Sequence, residues 1–169
     1  TGDYFGGVTV CSCYVPKDKL LPLSKLKLTD SKKYNDKAIM KIAPQLIKDC
    51  KHSILLLNNE KYNNIIALKD VNLNKIKAVM HNKVILNLLK DGLKPERIIV
   101  DAFTNKDKYF EYLKDTPNVV QDIHLEEKAE SKHLAVAIAS IIARYYFLTH
   151  LADLSKTYGY QLPKGAGAP

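Results

Sequence analysis

Two carboxylates stand where an α/β protein can use them. Asp101 lies near the end of the continuous apolar run "RIIVDAF" (97–103), which reads as a buried strand, and Glu130 opens the long helical run that follows "HLEEKAE". They are 29 residues apart (130 − 101). Ligand sites in open α/β sheets collect at the carboxyl ends of strands, and a helix N-terminus favours a carboxylate through its free N–H groups and its dipole. Two carboxylates brought together repel each other unless a cation lies between them, and hard oxygen ligands suit magnesium or manganese. On the residues alone a second reading stands beside this one: Asp101 starts a turn and Glu130 favours a helix start.

Other reactive residues lead to less. Ser131 and His133 sit too close together at one helix start to form a serine triad without a third partner, and helix capping accounts for Ser131. "KGAGA" lacks the GxxxxGK[ST] spacing of a nucleotide loop. Cys11 and Cys13 share one face of a strand, and Cys50 is a third, odd cysteine, so neither a zinc site nor a disulfide framework is indicated. Idle thiols fit a reducing cytoplasm. Tyr145 and Tyr146, on the long helix, read as packing residues rather than base-stacking platforms.

The elements that position the acids follow from periodicity. "VTVCSCYV" (8–15) is β-branched and aromatic enough for a strand ended by Pro16, and a Lys/Leu-rich loop is expected after it. Asn35 caps a helix with Ile39, Ile42 and Leu46 on one face, in which Pro44 predicts a kink or an early end. "HSILLLNN" is the next strand. A helix capped by Asn74 runs through Lys90, with Ile76, Val79, Met80, Val84 and Leu88 at i, i+3, i+4 spacing and Gly92 closing it. A short helix around Tyr109 to Leu113 precedes a strand in "NVVQDIHLEE". From Ser131, Leu134, Ala137, Ile138, Ile141, Tyr145, Leu148 and Leu151 recur at helical spacing, with Ala135, Ala139, Ser140 and Ala143 small enough for close packing. "LPKGAGAP" ends the chain as a loop. This order is that of an α/β domain with a mixed sheet.

Bulk properties agree. With 169 residues, 46% hydrophobic, the chain can bury one core, and its longest apolar runs fall short of the ~20 residues that cross a bilayer, so no membrane association is expected. No secretion signal is visible at the start. A net charge of +8 attracts polyanions by releasing their counterions, although lysines also simply solvate a surface. Arg97 and Arg144 are the only arginines, so contacts to a nucleic-acid backbone are expected rather than bidentate reading of guanine.

In order along the chain, "TGDYFGG", "LTDSKK", "IIVDAF", "KAESKHLAVAIASIIARYYFL" and "LPKGAGA" resemble the bacterial ribonuclease HIII family, endonucleases that cleave the RNA strand of RNA/DNA hybrids. The resemblance implies a ribonuclease H-like fold over residues 1–169, a mixed five-stranded sheet flanked by helices, and a site of four acids holding Mg2+ or Mn2+. Asp101 and Glu130 match two of the four and become the expected catalytic residues and metal ligands. Thr1 and Gly2 match the motif whose backbone approaches the RNA strand, where the 2′-hydroxyl separates RNA from DNA. Lys32, Lys128, Lys132 and Lys164 are the expected phosphate contacts. No obligate protein partner is implied.

The sequence departs from the family in three places. The Asp-Glu pair that opens the motif "D-E-V-G-T-G-D-Y-F-G" is not in this stretch, and Gly7 stands where proline is usual. The family continues past "KGAGA" with further helix. The expectation is therefore an internal fragment, with the two other acids, the central first strand and an N-terminal substrate-binding domain outside it. Asp3 has a counterpart in the family and is expected to be a loop residue. A fragment so placed is expected to be inactive alone; the rival expectations are a basic nucleic-acid-binding module without catalysis and an enzyme of the ribonuclease HII type.

Overall fold

The computed structural model describes residues 1–3, 5–29 and 34–164. Lys32, with the rest of "DSKK", and the glycine-containing end 165–169 lie outside the described residues.

A three-stranded antiparallel sheet is the first layer, with β1 (Gly2–Asp3), β2 (Gly7–Tyr14) and β3 (Lys51–Leu57) in that order. β2 and β3 pair along their whole length, from Val8 opposite Leu57 to Tyr14 opposite Lys51. The period-2 alternation sorts their side chains to two faces. Val8, Val10, Leu55 and Leu57 pack on α4 (Leu73–Lys90), where Ile76, Met80 and Val84 are buried. Cys11, Cys13 and Ile54 face the other way, onto α2 (Asp36–Asp49) and α6 (Leu134–Tyr158), around Leu46, Ile138, Ile142 and Phe147. Ser12, on the α4 face, donates to the Val84 carbonyl at 2.7 Å.

β4 (Ile99–Asp101) and β5 (His124–Glu126) form a separate parallel pair, with Asp101 opposite Glu126. It is held by a third cluster of Ala78, Ile85, Val100, Tyr109 and Leu113, to which α5 (Lys106–Tyr112) contributes Tyr109. The architecture is α/β with antiparallel and parallel strands flanked by helices, but among the described residues the strands fall into two sheets rather than one. The four strands and four helices read from periodicity are each present at least in part, as β2, β3, β4 and β5 and as α2, α4, α5 and α6.

Several boundaries differ from the sequence reading, each for a local reason. The expected Lys/Leu-rich loop contains α1 (Lys17–Ser24), led in by Pro16 at φ −59° and anchored by buried Leu23. A further helix, α3 (Asn59–Ile66), is capped by Asn58, whose side chain accepts from the Lys61 N–H at 2.9 Å. Asn72, not Asn74, caps α4, accepting from Lys75 N–H at 2.9 Å. Val79 of that helix is exposed rather than buried. Pro44 does not end α2: it lies on the solvent side, and Met40, whose carbonyl loses its donor, is itself exposed. Residues 118–123 do not join a ladder, because the buried Asn82 side chain satisfies their backbone instead, accepting from Val120 N–H at 2.9 Å and donating to the Asn118 carbonyl at 3.3 Å. Asp3 lies in β1, paired with Gly7, rather than in a loop.

By length and mean hydropathy of 1.5, α6 could cross a membrane, contrary to the expectation that nothing in the chain is apolar enough, yet half of that stretch is buried inside the fold. It is the core helix of the domain, packed on β2 on one side and α2 on another.

Candidate active site

Glu130 does not sit in α6 itself. It lies in a 3-10 turn (Ala129–Ser131) three residues before the helix, opened by Lys128 in the left-handed conformation (φ 55°, ψ 36°). Ser131 does not cap α6: its hydroxyl donates back to the Lys128 carbonyl at 2.8 Å, and His133 occupies the cap position without a side-chain bond. The turn thus holds Glu130 against the carboxyl end of β4. The Ala129 N–H donates to Asp101 Oδ1 at 2.9 Å, fixing one carboxylate relative to the other.

The two acids meet. Partial burial where they touch pushes the Asp101 carboxyl above its ordinary value; the Ala129 N–H opposes this, and contact with Glu130 adds to it. Glu130 Oε2 is buried with no hydrogen-bond partner. A buried carboxylate oxygen left without a donor, beside a second carboxylate, is the arrangement a cation satisfies. The donor set is all oxygen, which fits a hard divalent ion such as Mg2+ or Mn2+. Among the described residues no group of three or more His, Cys, Asp or Glu is placed to hold a metal, so the pair supplies only part of a full ligand shell.

Both acids line a groove of about 850 Å³ that runs between the two sheets. One wall is β2, the other β4, and the floor includes Ala135, Ala139 and Ala143 of α6, the small residues noted in the sequence. Among the described residues, Val10 to Tyr14 have a strand partner only on the β3 side, and β4 only on the β5 side.

Thr1 and Gly2 lie at this groove with Glu130. Thr1 N and Thr9 O are 2.7 Å apart, and Thr9 N–H donates to Thr1 O at 2.6 Å, so the start of the glycine motif is clamped to β2. Two glycines set the return turn. A Cβ on Gly6 would fall 2.2 Å from Phe147 Cε2, a fully buried ring, and Gly7 adopts φ +70° with its Cβ position 2.1 Å from the Leu57 carbonyl oxygen. Proline, fixed near φ −65°, cannot take that conformation, so Gly7 marks a departure in backbone geometry at this turn.

The lysines are differently engaged. Lys128 is exposed beside the acids. Lys132 is not free: its ammonium bonds Glu126 Oε1 at 2.8 Å and the Glu127 carbonyl at 3.0 Å. Lys164 bonds Asp36 at 2.9 Å, on the carboxylate that Arg144 also holds. The sequence reading missed Glu126 and weighed His133 only as a triad partner, not as a partner of that acid. His133 Nε2 lies 2.7 Å from Glu126 Oε2, and Lys132 followed by His133 drives the Glu126 carboxyl down to about 2. An acid on β5 paired in register with Asp101 is a signal that pairing alone would have exposed. His81, stacked on Phe103 at 5.4 Å in the same groove, is pushed down to about 4 by burial and is neutral near pH 7. Tyr145 and Tyr146 pack edge to face on each other and lie partly buried against the α2–α6 core, as their sequence context suggested.

A sheet, a helical cover and an acid pair at a strand end define the class, and comparison agrees: the chain belongs to the ribonuclease HII family, whose model matches residues 1–169. Within it, curated relatives that are 46–48% identical to this chain carry the name ribonuclease HIII. The Streptococcus gordonii protein is 48% identical over 168 residues, covering 99% of this chain and 56% of the relative. The Bacillus subtilis protein is 47% identical over 169 residues, covering 99% and 54%. Among solved structures, Bst-RNase HIII in complex with Mn2+ superposes with a TM-score of 0.93 at 41% identity, over 99% of this chain and 55% of that one. Aquifex aeolicus RNase H3 gives 0.78 at 30%, over 98% and 60%. The ribonuclease H-like fold read from the motifs is therefore correct, and the chain spans a little over half the length of these relatives.

Proposed function

We propose that the whole protein is an endonuclease that hydrolyses the RNA strand of RNA/DNA hybrids with Mg2+ or Mn2+. The observation that carries this is the contact between Asp101 and Glu130 with Glu130 Oε2 buried and unsatisfied, in a chain of this family. The name of a similar solved structure records a bound Mn2+, which supports the choice of ion.

Asp101 and Glu130 would hold the ion or ions, which when bound neutralise the phosphate, lower the pKa of an attacking water and stabilise the leaving 3′-oxygen. Asp101, kept in place by the Ala129 N–H, would be the direct ligand, and Glu130 would complete the acid cluster. The products carry a 5′-phosphate and a 3′-hydroxyl. The Thr1–Gly2 backbone, which lines the groove, would meet the RNA strand near its 2′-hydroxyl, and exposed Lys128 beside the acids would meet a phosphate.

The groove between β2 and β4 is assigned to an extended segment from upstream in the whole protein, pairing with both open edges and bringing two further acids to the site. The 169-residue chain alone is accordingly proposed to cleave poorly. Three free thiols suit the reducing cytoplasm. The test is cleavage of a labelled hybrid by the whole protein in EDTA, in Mg2+ and in Mn2+. Metal-independent cleavage, or none at all, would overturn the assignment.

A further inference from the structure

Arg144 occupies a position that neither the acid pair nor the groove requires. From α6 its guanidinium grips Asp36, the first residue of α2, with Nε 3.0 Å from Oδ1 and Nη2 3.3 Å from Oδ2. The same Asp36 carboxylate accepts from Lys164 at 2.9 Å, so α6, α2 and the segment after it near the chain's end meet at one point. The guanidinium also lies over the Phe147 ring, 5.0 Å from its centroid, and that ring fills the space directly beneath Gly6. A pocket of about 240 Å³, lined among others by Thr1, Tyr34, Asp36, Glu130, Ser140 and Arg144, joins this junction to the acid site.

The junction therefore ties together the turn at Gly6 through Phe147, the N-terminus of α2 at Asp36, and Lys164 beyond α6. None of its three charged groups reaches the Asp101–Glu130 contact. A planar fork holding both carboxylate oxygens fixes orientation as well as distance, which a single ammonium cannot do. Arg144 and Asp36 are about one-quarter exposed, so their pairing is more than a solvated surface contact.

Resting on the ribonuclease reading above, we propose that Arg144 is a positioning residue that, through Asp36 and Phe147, sets the substrate-side segments around the acid site. Its contribution lies in engaging the hybrid and not in the chemical step. In the whole protein, Arg144→Ala is expected to raise KM for a hybrid about tenfold, equivalent to ~1.4 kcal/mol, with kcat and the Mg2+ midpoint within about twofold of wild type. Arg144→Lys keeps the charge without the fork and should recover only part of the loss. Asp36→Asn should reproduce the KM effect, and the double variant should add little to either single one.

Wild type is measured alongside by fluorescence anisotropy and cleavage. A wild type that neither binds nor cleaves a hybrid sinks the ribonuclease reading and this inference with it. A wild type that cleaves, with Arg144→Ala losing kcat at unchanged KM, or with Arg144 and Asp36 effects fully additive, overturns the positioning role alone. Should Arg144→Ala fail to fold, Lys164→Met and Asp36→Asn carry the same test, and unchanged KM in both would overturn it.

Discussion

Replacing Glu130 with glutamine should make the metal-free protein more stable while abolishing its response to metal. Two carboxylates at a contact distance of ~4 Å repel by ~1 kcal/mol at the dielectric of water and ~4 kcal/mol at the value typical of a protein surface. Asp101 is exposed overall, so solvent screening places the effect near the lower end, at ~1 kcal/mol. Glutamine keeps the size of Glu130 and offers an amide donor beside Asp101, where a buried oxygen now has no partner. For a domain of this size ~1 kcal/mol raises Tm by ~2–4 °C. Wild type should gain stability as Mg2+ is added, by ~2.7 kcal/mol at 100 times Kd, and Glu130→Gln should gain almost none. The assay is thermal melting of the whole protein in EDTA and across a Mg2+ series. A variant that melts several degrees lower in EDTA and keeps the wild-type rise with Mg2+ would show that Glu130 serves only to start the helix.

Other consequences are open to direct measurement. Because the Asp101 carboxyl is raised in the folded state, the stability it contributes is fully present below the ordinary carboxyl value and is lost as pH rises through the raised one. In EDTA, the Tm advantage of Asp101→Asn over wild type should thus grow from about pH 4 toward neutrality, and calorimetry showing a constant difference would contradict it. If backbone contacts by lysines dominate, hybrid affinity should fall steeply with salt and depend little on base sequence, whereas a flat anisotropy response would assign the +8 charge to solvation. Gly6→Ala drives a methyl into buried Phe147 and should cost on the order of 1–3 kcal/mol in urea unfolding; a cost under ~0.5 kcal/mol would show that the ring yields freely. The 169-residue chain alone should cleave a hybrid far more slowly than the whole protein, and equal initial rates would remove any need for upstream acids.

Long periodic segments were the legible ones. In α6 the spacing of Ala137, Ile138, Ile141, Leu148 and Leu151 matches a helix buried between β2 and α2, and Asn35 caps α2 as its position before the apolar face suggested. Asp101 and Glu130 were legible as strand-end and helix-start acids because those positions carry a physical preference of their own. What escaped depended on contacts distant in sequence. Residues 118–123 look like strand, yet the Asn82 side chain, 36 to 38 residues away, takes over the hydrogen bonds a ladder would have made. Lys132 and Lys164 look free in sequence, and only folding brings Glu126 and Asp36 to them. The turn that carries Glu130 was hidden as well, since Ser131 bonds backwards to Lys128 rather than forwards into α6.

The most direct test of the account is the initial rate at which the whole protein cleaves a labelled RNA/DNA hybrid at saturating Mg2+, wild type against Asp101→Asn. The substitution keeps the side chain's size and removes the charge that would hold the ion beside Glu130. A fall of at least ~100-fold in rate is expected, with hybrid binding retained and the fold intact by melting. A rate within a few-fold of wild type would contradict it.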